Sequence, residues 1–309
     1  MERKSLKKVA LAVGIGGLGA GLIVTELLYR YAVCRDQGPA VYFMPQRLNL
    51  HSPGFVEERI RLEEKLKQKK QLDYTIVNAD GVELHGFYFP CGEKPCKRIA
   101  FIVHGYHATH VENSAFLHEY YHERGFDIFT CDHVASGLSG GNVIGWGLWE
   151  SRDCLQWLEL LQEEFGKDIQ VILHGLSMGG ATVLMMSDRA PACVKFIVDD
   201  CGFTSAEETA NLPKPLFEAI RVAILLRDHY DLAKAESRSY LRRAKLPILF
   251  AHGRADPTVP FWMGEELYDL CPTDKDCLFT DDAKHVETMY LHPEEFQAKI
   301  DAFVEKYIK

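Results

Sequence analysis

The sequence predicts an α/β fold with a mostly parallel, eight-stranded sheet and helices on both faces. Three observations carry this reading. Eight short apolar or alternating runs recur between residues 74 and 280. Stretches with helical periodicity separate most of them, and strands that alternate with helices pair in parallel because each crossover returns the chain to the same end of the sheet. Finally, the apolar run Ile169–Leu173 leads into Gly175-Leu176-Ser177-Met178-Gly179 and then into helix-forming Gly180–Leu184, a strand–turn–helix junction with a serine at its apex.

The elements follow in order. Tyr74–Asn78 and Leu84–Phe89 flank Ala79-Asp80-Gly81, a hairpin signal. Further strands are expected at Ile99–Val103, Phe126–Cys131, Ile169–Leu173, Val194–Val198, Leu246–Ala251 and Cys277–Thr280. Helices are expected near Asn113–Arg124, Leu148–Phe165 and Gly180–Arg189. Residues 205–245, between the sixth and seventh strands, interrupt this rhythm and read as mostly helical, with Phe217, Ile220, Ile224 and Leu225 on one side. Upstream, residues 36–53 are irregular, and Phe55–Gln71 reads as a charged helix whose narrow apolar stripe is Val56, Ile60 and Leu66, with Leu62 slightly offset. The organisation is therefore residues 1–32, residues 33–72 as a connector, and residues 73–309 as one large domain.

The Gly-x-Ser-x-Gly pattern has chemical meaning in this context. The turn is too tight for a side chain two residues either side of the serine, and it lifts the hydroxyl above the sheet edge near the N-terminus of the next helix. A serine hydroxyl is a poor nucleophile at neutral pH. It needs an imidazole to take its proton and a carboxylate to fix the imidazole tautomer. Both candidates lie downstream on loops just past strand ends: Asp256 in His252-Gly253-Arg254-Ala255-Asp256, and His285 in Ala283-Lys284-His285. Asp199 and Asp200 end the preceding strand and are the alternative acids, but the Gly-Arg-Ala-Asp spacing favours Asp256. Asp281 and Asp282 read as a solvated loop. His252 reads as a strand end, and His292, before Pro293, as a helix start. His104, His107 and His110 are three apart with no carboxylate or cysteine to complete a zinc set, so no metal is expected.

These motifs, together with His104-Gly105-Tyr106 and Val259-Pro260, carry a resemblance to the α/β-hydrolase superfamily from about Tyr74 to the end of the chain. Within it the chain is similar to membrane-anchored bacterial hydrolases of the serine aminopeptidase and lysophospholipase-like group. The resemblance implies Ser177, Asp256 and His285 as the triad and no cofactor. It also implies an oxyanion hole from the backbone N–H groups of Tyr106 and Met178, and a helical cap at 205–245 whose Phe217, Ile220 and Ile224 line the substrate pocket. Asp132-His133-Val134-Ala135-Ser136-Gly137-Leu138-Ser139-Gly140 departs from the family loop D-x-R-G-H-G-x-S, with Val-Ala-Ser in place of Arg-Gly-His.

At the N-terminus, Gly14-Ile15-Gly16-Gly17-Leu18-Gly19 matches a dinucleotide-binding pattern but lacks its strand–turn–helix setting. Val9–Leu28 carries one charge, Glu26, and has the length of a bilayer span. Arg3, Lys4, Lys7 and Lys8 precede it, which predicts a single-pass anchor in the cell membrane with the N-terminus inside and the catalytic domain extracytoplasmic. A cleaved signal peptide is the alternative, but no small-x-small site precedes a polar start, and Cys34 follows Val33 in a poor lipobox. Gly17 and Gly21 form a small-xxx-small pair that fits either helix packing or a flexible span.

Net charge −9 and the lack of a basic-aromatic cluster argue against a nucleic-acid partner. Nine cysteines show no repeated metal spacing. Cys91 and Cys96 flank a tight loop that fits a disulfide in an oxidising space, whereas Cys131, Cys154 and Cys193 fall within predicted elements as small hydrophobes. The expected activity is hydrolysis of an ester-type bond in a small-molecule or lipid-like acyl substrate, through an acyl-enzyme on Ser177. An aminopeptidase, amidase or acyl-thioesterase with the same triad is the second reading, and a non-catalytic membrane-tethered binding module is the third.

Overall fold

The computed structural model describes residues 21–37, 50–93, 95–112 and 114–309. The strands are β1 (Leu72–Val77), β2 (Glu83–Phe89), β3 (Arg98–Val103), β4 (Asp127–Cys131), β5 (Gln170–Leu176), β6 (Val194–Asp200), β7 (Ile248–Gly253) and β8 (Lys275–Thr280). They form one eight-stranded sheet in the order β1-β2-β4-β3-β5-β6-β7-β8. β2 runs antiparallel to both β1 and β4, and every other pairing is parallel.

The helices are α1 (described over residues 21–33), α2 (Phe55–Leu66), α3 (Ala115–Glu123), α4 (Leu148–Phe165), α5 (Met178–Leu184), α6 (Ala206–Ala210), α7 (Lys214–Asp228), α8 (Arg238–Leu241), α9 (Phe261–Leu270), α10 (Thr288–Leu291) and α11 (Pro293–Tyr307). The central strands β3 to β7 are apolar almost throughout because both faces are covered, whereas the edge strand β1 is largely exposed. Successive side chains alternate between two cores. Ile99, Phe101 and Val103 of β3 join Val171 and Leu173 of β5 against α4, through the fully buried Trp157, Leu158 and Leu161. Ala100, Ile102 and Ile172 face the other way, onto Leu117, Tyr120 and Tyr121 of α3 and Phe296, Ile300 and Phe303 of α11. Each such fully buried large side chain contributes about 1.5–3 kcal/mol.

Two helix boundaries and one loop differ from expectation. The helix after Ser177 ends at Leu184 rather than Arg189, because Met186, Ser187 and Arg189 donate to carbonyls three residues back and wind the chain tighter than an α-helix. The charged helix ends at Leu66, and the side chains it buries are Phe55 and Leu66, while Val56 and Ile60 stay exposed. Phe55 stacks on Phe116 and His51 and meets Tyr290 edge-on. This aromatic cluster, not the helical stripe, fixes the helix on the domain. The loop between Cys91 and Cys96 is closed without a disulfide. Asp127 accepts the amides of Cys91 (2.8 Å) and Cys96 (2.6 Å), and both thiols are free.

Of the expected membrane span Val9–Leu28, residues 9–20 lie outside the described residues. Among the described residues no helix is long and apolar enough to cross a membrane. The described part, α1, does not stand off from the domain. Leu28, Tyr29 and Val33 are buried in the same core as Trp157. Ile144 donates to Val33 O at 2.7 Å, and Trp146 Nε1 donates to Ala32 O at 2.8 Å. Hence residue 32 marks no structural break.

The end of β6 is held by a buried carboxyl. Asp199 Oδ1 accepts the Gly202 amide at 3.0 Å. A Cβ on Gly180 or Gly202 would lie only 2.3 Å or 2.2 Å from it, so the carboxyl is wedged between two glycines. Burial, reinforced by the charge of Asp200, pushes the Asp199 carboxyl up to about 8. The folded state then keeps a proton that the unfolded chain gives up near pH ~4, so the stability from this group is complete in acid and drains away as pH rises towards 8. Asp199→Asn removes the titration. The melting temperature of the variant relative to the parent should therefore rise between about pH 5 and pH 8.5. A difference that stays constant across that range would show that Asp199 is ionised in the folded protein.

Candidate active site

Ser177 stands at the apex between β5 and α5 with φ 58 and ψ −119. A non-glycine residue there costs about 1–3 kcal/mol and persists only where its surroundings over-determine it. They do so here. Ser177 N donates to Asp200 O at 2.8 Å, and Ala181 N donates to Ser177 O at 3.1 Å. The flanking glycines answer to close approach of backbone. A Cβ on Gly175 would meet Gly179 O at 2.2 Å, and one on Gly179 would meet Val103 O at 2.0 Å. Val103 pairs with Gly175, so β3 and β5 end level and the first turn of α5 rests on the end of β3.

His285 lies on the loop after β8 and Asp256 on the loop after β7. His285 Nε2 is 2.8 Å from Ser177 Oγ, and Nδ1 is 2.7 Å from Asp256 Oδ2. With Nδ1 carrying the proton towards the carboxylate, Nε2 is left as acceptor for the hydroxyl. Asp256 Oδ1 accepts the amides of Thr258 (2.7 Å) and Val259 (2.9 Å). Burial raises the Asp256 carboxyl, but His285, His252 and the Thr258 amide outweigh that and hold it below the ordinary carboxylate range. It is therefore an anion at neutral pH, aimed at the imidazole.

A residue without a sequence signal fixes the His285 loop. Glu287 is fully buried and accepts Ser52 N (2.7 Å), Ser52 Oγ (2.6 Å) and Lys284 N (3.3 Å). It ties the loop to the connector, and no local pattern links positions 52 and 287.

Tyr106 follows the end of β3, and Met178 opens α5, where first-turn N–H groups have no intrahelical partner. Both line one cavity with Ser177. The cavity has a volume of about 490 Å³. Its walls are Leu28, Tyr31 and Ala32 of α1, Leu50, Trp146, Phe203, Thr209 and Ala210 at the end of α6, Asn211 and Leu212 in the turn to α7, and Thr258 and Val259. No charged side chain is among these described residues.

Phe217, Ile220 and Ile224 do not line it. All three are buried in the core on the underside of α7, and the cap reaches the cavity through 209–212 instead. Periodicity identified the apolar face of α7, but not which layer that face would meet.

The competing groups are accounted for. Asp200 is buried, accepts Thr288 Oγ1 at 3.5 Å, and makes no direct bond to His285. Burial pushes its carboxyl up to about 7, against the pull of His285 and with the push of Asp256. His252 Nε2 donates to Val259 O at 3.0 Å, supporting the Asp256 loop. His292 pairs with Asp282 at 2.6 Å, away from Ser177. His104 is buried between the Gly105 carbonyl (2.8 Å) and the His133 amide (3.0 Å), and burial lowers it to about 4. His110 Nδ1 sits 2.9 Å from Asp132 Oδ1 and His107 stands apart, so the three histidines converge on no common point.

The close contact at Gly179 generates a prediction. Gly179→Ala must displace β3 or α5 and so should cost about 1–3 kcal/mol of stability. It should also reduce hydrolysis by the folded fraction, because the Met178 amide and Ser177 move with the turn. Retention of full activity and melting temperature would refute the contact.

Residues 143–309 match the sequence model of the prolyl oligopeptidase family. The protein YqkD of Bacillus subtilis is 21% identical over 252 residues, covering 78% of this chain and 82% of its own. Among solved structures, the Pyrococcus furiosus esterase Pf2001 superimposes with a TM-score of 0.64 at 21% identity, covering 79% of this chain and 95% of that one. An esterase domain from Rhodothermus marinus does so with a TM-score of 0.58 at 16% identity, covering 78% and 100%. These structures share the fold. The family match takes in more than half of the chain, Ser177, Asp256 and His285 included, and the protein belongs to the prolyl oligopeptidase family within the α/β-hydrolase superfamily.

Proposed function

We propose that the protein is a serine hydrolase that cleaves carboxylic esters of apolar acyl groups. The supporting observation is the hydrogen-bonded chain from Asp256 through His285 to Ser177, opening into a cavity with no charged side chain among its described lining residues. Ser177 Oγ attacks the acyl carbonyl while His285 Nε2 takes its proton. The amides of Tyr106 and Met178 receive the developing oxyanion, each donor being worth about 2.7–4 kcal/mol of barrier. His285 then protonates the departing alkoxide, and the acyl group stays on Ser177. Water, deprotonated by His285, attacks the acyl-enzyme and releases the acid. Asp256 keeps the imidazole in the required tautomer and stabilises the imidazolium, and no cofactor enters.

Ser177→Ala should abolish labelling by a fluorophosphonate probe, and Asp256→Asn should slow it. Undiminished labelling of the alanine variant would assign the nucleophile elsewhere.

The family match favours a second reading, a peptidase or amidase with the same three residues. The cavity weighs against an aminopeptidase. A free α-ammonium group would have to give up its hydration, and among the described lining residues no carboxylate replaces it. The two readings separate on a substrate panel. p-Nitrophenyl esters of rising chain length should be cleaved, with kcat/KM increasing as the acyl chain fills the cavity, and aminoacyl anilides should not. Faster turnover of the anilides would give the site to amide substrates.

A further inference from the structure

The first helix reaches the cavity at its C-terminal end and exposes large apolar side chains nearer its N-terminal end. Leu28, Tyr31 and Ala32 form part of the cavity wall. One to two turns earlier, Leu22, Ile23 and Val24 are exposed (71%, 63% and 44%). In the sequence they continue the uncharged run that begins at Val9. The cap helix α7 lies alongside. Glu26 pairs with Arg227 at 2.6 Å, Tyr29 Oη donates to Asp228 at 3.0 Å, and the Arg227 guanidinium sits 4.6 Å above the Tyr29 ring. α7 in turn exposes Val222, Leu225 and Leu226 (48%, 43% and 72%), which share one helical face by their spacing. Two ion-paired helices thus leave six large apolar side chains exposed, and one of the two, α1, also walls a cavity in which no charged side chain is found among the described residues. Large apolar side chains exposed on two joined helices mark an interaction site more often than a bare surface.

We propose that α1 and α7 together form a bilayer-docking surface, through which the acyl group of a membrane-borne ester enters the cavity along Leu28, Tyr31 and Ala32. The occupant follows from chain continuity. The apolar run from Val9 to Gly21, with Arg3, Lys4, Lys7 and Lys8 ahead of it, has the composition of a lipid-embedded segment with a basic flank, and it leads directly into Leu22–Val24. A helix entering lipid at that point brings α7 down with it. Val222, Leu225 and Leu226 are therefore separate from the run Val9–Leu28 that would tether the chain. The proposal rests on the ester-hydrolase reading and adds the physical state of the substrate.

The test uses the full chain reconstituted with phosphatidylcholine vesicles that carry a fluorogenic long-chain ester, beside p-nitrophenyl butyrate in solution. Leu225→Glu and Leu226→Glu together should lower the rate on the vesicle-borne ester by about tenfold or more, since each leucine leaves the interface. Both side chains lie outside the cavity, so the rate on the soluble ester should stay at the parent value. An unchanged ratio of the two rates would overturn the proposal, whether both fall or neither does. So would a dimer that the two substitutions dissociate without a change in vesicle hydrolysis. Failure of the unmodified protein to cleave p-nitrophenyl butyrate would instead remove the ester-hydrolase reading itself.

Discussion

The close approach of the α5 N-terminus to the end of β3 is the constraint on which the candidate site depends. Parallel pairing of β3 with β5 brings Val103 level with Gly175, and a 2.0 Å clearance at Gly179 leaves room for no side chain. The strained backbone of Ser177 is affordable only because the pairing on either side of β5 fixes both flanks of the turn. That contact also sets the Met178 amide beside the Tyr106 segment. Asp256 and His285 arrive on loops of β7 and β8, further along the same sheet edge. A parallel sheet serves this purpose well, because every strand delivers its following loop to one rim.

This explains why Ser177, Asp256 and His285 were legible in the sequence. Each sits within a few residues of an apolar strand, and local patterning locates strand ends. The central strands were readable for the same reason, since burial on both faces leaves near-continuous apolar runs, and β1 and β2 were marked by the Ala79-Asp80-Gly81 turn between them. The cavity walls were not. Trp146, Phe203 and Leu212 share a cavity with Ser177 only through tertiary packing, and no local pattern encodes that. The assignment of Phe217, Ile220 and Ile224 to the wall failed on the same ground. An apolar helical face announces burial but is silent on whether core or cavity lies beneath it. Glu287, with its partner Ser52 in a different part of the chain, left no trace at all.

The departure at Val134-Ala135-Ser136 has a physical counterpart in the fold. Asp132 still organises the loop: its Oδ1 accepts the His110 amide at 2.9 Å, and its Oδ2 accepts Leu138 N at 2.8 Å. Burial raises this carboxyl, but His110 and those amides hold it at about 2. The arginine absent from the loop is met by one from outside it. Arg35 Nη1 donates to Ser139 O at 2.8 Å, its other terminal nitrogen donates to Gly137 O, and Arg35 N donates to Asn142 O at 2.8 Å. The loop therefore takes a guanidinium from the segment that follows α1, which ties the N-terminal region to the catalytic rim.

That tie has a consequence for how specificity is built. Reactive groups on strand-end loops are fixed by the sheet, and they would be placed in the same way whatever stood above them. The chamber above them comes from elements that the sheet does not dictate: α1 and its exit segment, Trp146, and the 209–212 turn. α1 is held by buried Leu28, Tyr29 and Val33, by the Glu26–Arg227 pair and by the carbonyls of Tyr31, Ala32 and Val33. The surface pair alone contributes little, so burial and the backbone hydrogen bonds carry the attachment. A helix attached that way is part of the domain, and its Leu28, Tyr31 and Ala32 are held in place as a wall of the chamber beside Ser177.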